Sequence, residues 1–303
     1  MVYFPHLMYE FEAETPPRAS LPLYFREEYM DFISAAGIAG YIPHQPYLEF
    51  NNRYRAFGLA VGDPLYGIVW GVYQVDPFDP GKTVSVPDGC ADIMLFYTPE
   101  KMHAFFLSGV PCSKSMDELE FLGDVRIIFG VRFRTGALGN LFKCSLPDAG
   151  GGIIALKDII FGSDLTGRLE NARGFEERWG LIRAYLLDRL SKNYEVNVIS
   201  SYISRSIVES HGQILVKSLE EDTGYSGRYL RRTVNENLGV SIKQLCEITR
   251  FQWAYHLYLS SSGRLRLSDL ALEAGYYDQS HMNNSCKKLT GYLPRQIMDL
   301  YRE

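Results

Sequence analysis

The spacing of apolar positions changes character twice along the chain. From Tyr41 to about Leu156 apolar side chains alternate with polar ones or cluster in short runs, the pattern of β-structure. Leu65 to Val75 is rich in aromatic and β-branched residues and is broken by Asp76-Pro77, so it predicts a strand. Cys90–Tyr97 and Met102–Leu107 predict two more, joined by a turn at Thr98-Pro99-Glu100-Lys101. The clearest alternation is Arg126 to Arg134. Ile127, Phe129, Val131 and Phe133 fall on one face, and Arg126, Ile128, Gly130, Arg132 and Arg134 on the other. Many short strands with Gly and Pro turns predict a sandwich or small barrel. Upstream, residues 1–40 are aromatic and Pro-containing, with a helix predicted from about Tyr24 to Ala36.

At residue 174 the period becomes helical. Phe175, Trp179, Ile182, Leu186 and Leu190 gather on one face of a helix over 174–192. That face has two uses: packing on its own sheet, or pairing with a second copy, and the latter is the expectation adopted. From there onward everything reads as helix. Val198, Ile199, Tyr202, Ile203, Ile207 and Val208 define a helix that stops near Gly212, and Ile214–Asp222 a shorter one. Thr223-Gly224-Tyr225-Ser226 interrupts, and Ser226 is placed to cap a third helix that ends at Gly239. Leu230, Val234 and Leu238 face inward, so Arg228, Arg231, Arg232 and Asn235 share the outer face. Such side chains read base edges or hold phosphates. A short helix, a Gly turn and a polar-faced helix form a helix-turn-helix.

The device recurs after a long helix from Ile242 to about Leu259. Leu267–Ala274 is a short helix with Ser268 at a capping position, Gly275-Tyr276-Tyr277-Asp278 is the turn, and Gln279–Leu289 is the second polar-faced helix, followed by Gly291 and Pro294. Its outward residues are Gln279, Ser280, His281, Asn283, Asn284 and Lys287, whereas Tyr276 and Tyr277 are expected to pack in the core and turn. A connector of about 18 residues is about 27 Å long, and successive major-groove faces lie about 34 Å apart. Both helices can then address one side of a duplex.

Composition fits this reading with one qualification. The 303 residues are 46% apolar and 22% charged, ordinary for a globular protein of two domains. The net charge of −5 looks wrong for a DNA binder. It is unevenly spread: residues 1–195 hold 18 basic and 25 acidic side chains, residues 196–303 hold 13 and 11. The second half is thus net positive, and local clusters matter more than the sum. No apolar run approaches a membrane span, and no secretory signal opens the chain, so a cytoplasmic protein is expected. The five cysteines are scattered and read as small buried hydrophobes rather than as a disulfide or zinc framework.

The stretch Ser226-Gly-Arg-Tyr-Leu-Arg-Arg, then Leu-Gly-Val-Ser, Arg250, Ala254 and Leu257 opens a longer pattern. It continues through Ala-Gly-Tyr-Tyr-Asp-Gln-Ser-His281 to Lys288-Leu-Thr-Gly-Tyr-Leu-Pro294. Over residues 197–300 this resembles the DNA-binding domain of AraC/XylS-type transcription regulators. The resemblance implies DNA contacts at Ser226, Arg228, Arg231, Arg232 and Asn235, and at Gln279, Ser280, His281, Asn284 and Lys287. Met282, Asn284 and Cys286 stand where the family usually has Phe, Arg and an aromatic. Loss of that Arg removes a phosphate or base contact from the second unit.

The expected architecture is therefore an α+β multidomain chain. Residues 1–40 are an extension, 41–173 a cupin-like β-barrel of the kind many relatives carry, 174–196 a helical linker and 197–303 the double helix-turn-helix domain. Pro87-Asp-Gly-Cys-Ala-Asp92 and Gly130-Val-Arg-Phe-Arg134 resemble segments in a subset of those regulators. A small-molecule effector pocket would draw on Trp70, Tyr73, Arg132 and Arg134, with Asp92 and His44 weaker; the competing reading leaves Arg132 and Arg134 facing solvent. Expected partners are double-stranded DNA, an effector, RNA polymerase and a second copy of the chain, with no membrane. The chain lacks HExxH, Walker, GxGxxG and GxSxG patterns, and His44 and His103 are isolated, so neither an enzyme nor a metal or cofactor is expected.

Overall fold

The computed structural model describes residues 11–14, 43–45, 53–79, 86–108, 119–139, 141–142, 152–162, 164–192, 194–195, 197–261 and 263–299. The helix expected at Tyr24–Ala36, and Cys112 and Cys144, lie outside the described residues.

Among the described residues, seven strands form one antiparallel sheet: β1 (Phe11–Glu14), β2 (Arg53–Phe57), β3 (Val69–Val75), β4 (Ala91–Tyr97), β5 (Met102–Ser108), β6 (Ile127–Phe133) and β7 (Ile153–Ala155). Their order is β1-β2-β3-β6-β4-β5-β7. Part of the extension, as β1, thus edges the sheet. Among the described residues the sheet is open, with β1 and β7 at its two edges, rather than a closed barrel. The predicted turn at 98–101 is present, with Thr98 Oγ1 accepting from the Lys101 N–H at 3.2 Å.

Strand β6 is central, paired with β3 on one side and β4 on the other. Its alternation does not separate core from solvent. Phe129, Val131 and Phe133 join a core with Val72, Ile93 and Leu95, while Ile128 joins a second core with Tyr73, Met94 and Phe96. A strand covered on both faces has no solvent side. Gly130 is the close-approach point: a Cβ there would lie 2.1 Å from Cζ of Tyr73, whose ring crosses it.

Helices α1 (Leu156–Ile159) and α2 (Leu165–Asn171) lead into α3 (Gly174–Ser191). Phe175, Trp179, Ile182 and Leu186 of α3 are buried in the first core, with Phe175 edge-on to Phe57 and Phe129. The face expected to pair with a second copy is therefore occupied by the chain's own sheet. Intramolecular burial won because the sheet offered a matching apolar surface at the end of a short connection.

The remaining helices are α4 (Val198–Glu209), α5 (Val216–Thr223), α6 (Gly227–Leu238), α7 (Ile242–Ser260), α8 (Leu267–Glu273), α9 (Gln279–Thr290) and α10 (Pro294–Asp299). Pro294 starts α10, which the sequence reading did not include; proline suits a first helical position because its missing N–H has no intrahelical partner there. A capping box opens α7, with Ser241 Oγ accepting from the Gln244 N–H at 3.1 Å. Along α7, Ile242 and Leu245 enter a core with α4, α5 and α6, and Ile248 to Tyr258 enter a separate core with α8, α9 and α10. No helix among the described residues is long and apolar enough to cross a membrane.

Candidate nucleic-acid interface

In the first unit Gly224 takes a left-handed φ of 72° and ends α5. Ser226 caps α6, its Oγ accepting from the Tyr229 N–H at 3.4 Å. The Gly227 N–H donates to Glu220 Oε1 of α5, tying the two helices across the turn. Leu230, Thr233, Val234 and Leu238 are buried. Arg228, Arg231, Arg232 and Asn235 are all exposed on the opposite face. Arg232 Nε lies 3.8 Å from Glu236 Oε1, and its guanidinium lies 5.5 Å from the Tyr229 ring centroid. These are weak surface restraints, easily exchanged for a phosphate.

The second unit is built alike with different caps. Gly275, φ 81°, makes the turn. Asp278 is the cap of α9, its Oδ1 accepting from the His281 N–H at 2.7 Å. His281 answers: its Nδ1 accepts from the Tyr277 N–H at 3.3 Å, which leaves the ring proton on Nε2. The sequence reading missed this reciprocal cap, although an Asp three residues before His281 could have indicated it. Ser268 is not a helix cap; Arg266 holds that position, and Ser268 Oγ donates to Asp269 instead. Met282, Cys286 and Leu289 are buried, whereas Gln279, Ser280, His281, Asn284 and Lys287 are exposed. Two of the three departures from the family pattern, Met282 and Cys286, therefore alter core packing, and only Asn284 alters the outer face. Tyr276 is buried, as expected; Tyr277 is exposed.

Sequence comparison agrees with this geometry. Residues 219–299 match a family described as a helix-turn-helix domain. The invasion protein InvF of Salmonella typhi and that of Salmonella typhimurium are each 31% identical over 85 residues. Residues 219–299 of this chain form a helix-turn-helix domain. The match to InvF covers 28% of this chain and spans only 38% of the length of those relatives. Among solved structures, the C-terminal domain of AraT, a response regulator from Geobacillus stearothermophilus, is 28% identical, with 35% of this chain and 84% of that one covered and a TM-score of 0.31. ToxT from Vibrio cholerae is 10% identical, with 76% and 97% covered and a TM-score of 0.37. Scores this low do not establish a shared overall architecture. The helix-turn-helix domain accordingly rests on the sequence match and on the two units themselves.

The four residues expected to line an effector pocket separate into two places. Tyr73 and Arg132 are in a buried ionic cluster rather than facing solvent. Arg132 is 3% exposed, with Nε 3.1 Å from Asp92 Oδ1 and Nη1 3.2 Å from Asp88 Oδ2. Tyr73 donates its hydroxyl to Asp92 at 2.9 Å. One guanidinium faces two carboxylates, and burial, only partly opposed by Arg132, pushes Asp88 up to about 6 and raises Asp92 as well. Arg134 is also buried, with Nε donating to the Tyr66 carbonyl at 2.9 Å. It shares with Trp70 a cleft of about 120 Å³, closed on the far side by Ser201, Ser204 and Arg205 of α4.

The ionic cluster continues into the helix-turn-helix domain. Gln45 Nε2 donates to Asp88 Oδ2 at 2.7 Å, and Arg132 Nη1 to the Pro43 carbonyl at 3.3 Å. The next residue, His44, donates its N–H to Gln252 Oε1 of α7 at 2.8 Å, and Gln252 Nε2 returns bonds to the His44 and Pro87 carbonyls at 3.2 and 2.9 Å. The His44 ring lies against His256, Nε2 to Nδ1 3.4 Å, and burial, aided by His44 and His211, pushes His256 down to about 4. Among the described residues no group of three or more His, Cys, Asp or Glu is placed to hold a metal.

Proposed function

We propose that the protein is a sequence-specific DNA-binding transcription regulator. The observation that carries this is the duplicated unit. Two helix-turn-helix pairs, each with its apolar side buried and its polar side open, pack on one continuous helix, α7. Its 19 residues give a length of about 28 Å, commensurate with the spacing of major-groove faces. Arg228, Arg231, Arg232 and Asn235 in α6, and Gln279, Ser280, His281, Asn284 and Lys287 in α9, are the side chains proposed to meet the duplex. Ser226 acts there as a cap that also presents the first turn of α6. Selection of bound duplexes from a random pool, followed by titration of Arg231→Ala and Arg232→Ala, tests the assignment. Each variant is expected to lose about 1–3 kcal/mol if its side chain reads a base. Wild-type affinity in both rejects it.

The N-terminal sheet, read as a cupin-like unit, is proposed to be the regulatory part. Its described faces are filled by its own side chains, and the cleft at Trp70 and Arg134 is smaller than the roughly 300–1,000 Å³ of ordinary ligand sites. That favours a partner protein over an enclosed metabolite as the second reading.

A further inference from the structure

Tyr277 is the most exposed large apolar-bodied side chain among the described residues, at 87%, and no described residue covers its ring. It stands immediately before Asp278, the cap of α9. Tyr225 holds the matching place before Ser226, the cap of α6, at 46% exposure. The two are held differently. The Tyr225 ring stacks on Tyr229, third residue of α6, with centroids 4.7 Å apart. In α9 the third residue is His281, which takes the backbone N–H of Tyr277 rather than its ring. The backbone of Tyr277 is thus fixed while its phenol is presented outward.

The surroundings limit what can cover such a ring. The exposed residues that follow it in the chain are Asp278, Gln279 and Ser280, with exposed Lys287 two turns farther along α9, a polar surface unsuited to an apolar protein partner. The wall of a DNA groove offers both deoxyribose surface for the ring and anionic oxygens for the hydroxyl. Resting on the DNA-binding reading above, we propose that Tyr277 contacts the sugar–phosphate backbone beside the groove that α9 enters, its ring against deoxyribose and its hydroxyl donating to a phosphate oxygen. Tyr225 makes the lesser contact in the first unit, since its ring is already committed to Tyr229.

The test uses the full chain and duplexes taken from the random-pool selection. Affinities of wild type, Tyr277→Phe, Tyr277→Ala, Tyr225→Ala and Arg231→Ala are measured across a salt series. Tyr277→Ala is expected to weaken binding roughly tenfold and Tyr277→Phe a few-fold, equally on selected and scrambled duplexes. Tyr225→Ala is expected to lose less than Tyr277→Ala. The salt slope stays at the wild-type value because no charge is removed, and the melting temperature stays unchanged because the ring is exposed. Wild-type affinity in both Tyr277 variants, with Arg231→Ala impaired, overturns this contact and leaves the DNA-binding reading standing. A loss confined to one base pair of the selected site overturns it in favour of base reading. A change in sedimentation of Tyr277→Ala without DNA overturns it in favour of a contact between copies. If wild type binds no duplex, the underlying reading fails and this contact with it.

Discussion

Replacing Gln252 with Leu tests how firmly the N-terminal part grips the connector helix. Gln252 is 1% exposed, and its amide makes three hydrogen bonds to backbone of residues 44 and 87. Leucine is close in volume, so the packing of α7 is retained. The loss is polar: the His44 N–H and two carbonyls face an apolar side chain. An orphaned buried group costs about 1–3 kcal/mol, and the carbonyls, with second lone pairs to satisfy, fall at the low end. The combined effect is about 3 kcal/mol. The cheapest relief is for residues 43–45 to lift and meet water. The expected outcome is therefore local opening before global unfolding. Native-state hydrogen exchange reads this at the His44 amide, which should exchange about a hundredfold faster in Gln252→Leu, while amides of β6 keep their protection. Unchanged exchange at His44, with unchanged overall stability, refutes the idea that Gln252 fastens these segments together.

Two further outcomes concern the ionic cluster. Arg132→Met leaves Asp88 and Asp92 buried without their cation and should destabilise the protein by about 3–5 kcal/mol in urea unfolding; a loss under about 1 kcal/mol would show that water reaches the carboxylates. Asp88→Asn should change the pH dependence of stability. The folded-state value of Asp88, about 6, lies above its ordinary 3.8, so the folded protein binds the proton more tightly. Its contribution is fully present below pH 4 and is lost as pH rises to about 6. Relative to wild type, Asp88→Asn should therefore gain stability across that window, by about 3 kcal/mol at most, measured as the difference between the two unfolding curves; parallel curves contradict the assignment.

The helical half was legible because its signals are local. Apolar positions at Leu230, Val234 and Leu238, a Gly at 239 and a cap at Ser226 determine which face of α6 turns outward. The sheet was legible in its strands but not in its layers. Arg132 alternates with Val131 and Phe133 as a solvent-facing residue would, yet Asp92 stands directly opposite it in the register and Asp88 reaches it from the preceding loop. Periodicity reports the side of a strand, not whether that side is covered. The segment Pro87-Asp-Gly-Cys-Ala-Asp92 stands out by resemblance alone, and its two acids are what make the burial of Arg132 tolerable. The fate of the α3 apolar face was also a tertiary matter: the same stripe serves a sheet or a second copy equally well, and only the location of β6 and Phe57 decides.

A boundary at residue 197 follows the family resemblance, but the packing does not respect it. Val86, from the loop before β4, is buried in the core of the second helix-turn-helix unit with Ile248, Phe251 and Tyr255. Gly89 passes so close to α7 that a Cβ would lie 3.2 Å from Leu245 Cδ1, in the core of the first unit. The 86–89 loop therefore touches both halves of the connector, and the same loop supplies Asp88 to Arg132 in the sheet. Because α7 belongs to both helical cores, a shift of α7 alters the placement of α6 and α9 together rather than of one alone. The sheet thus meets both helical cores through one loop, one buried guanidinium and one helix.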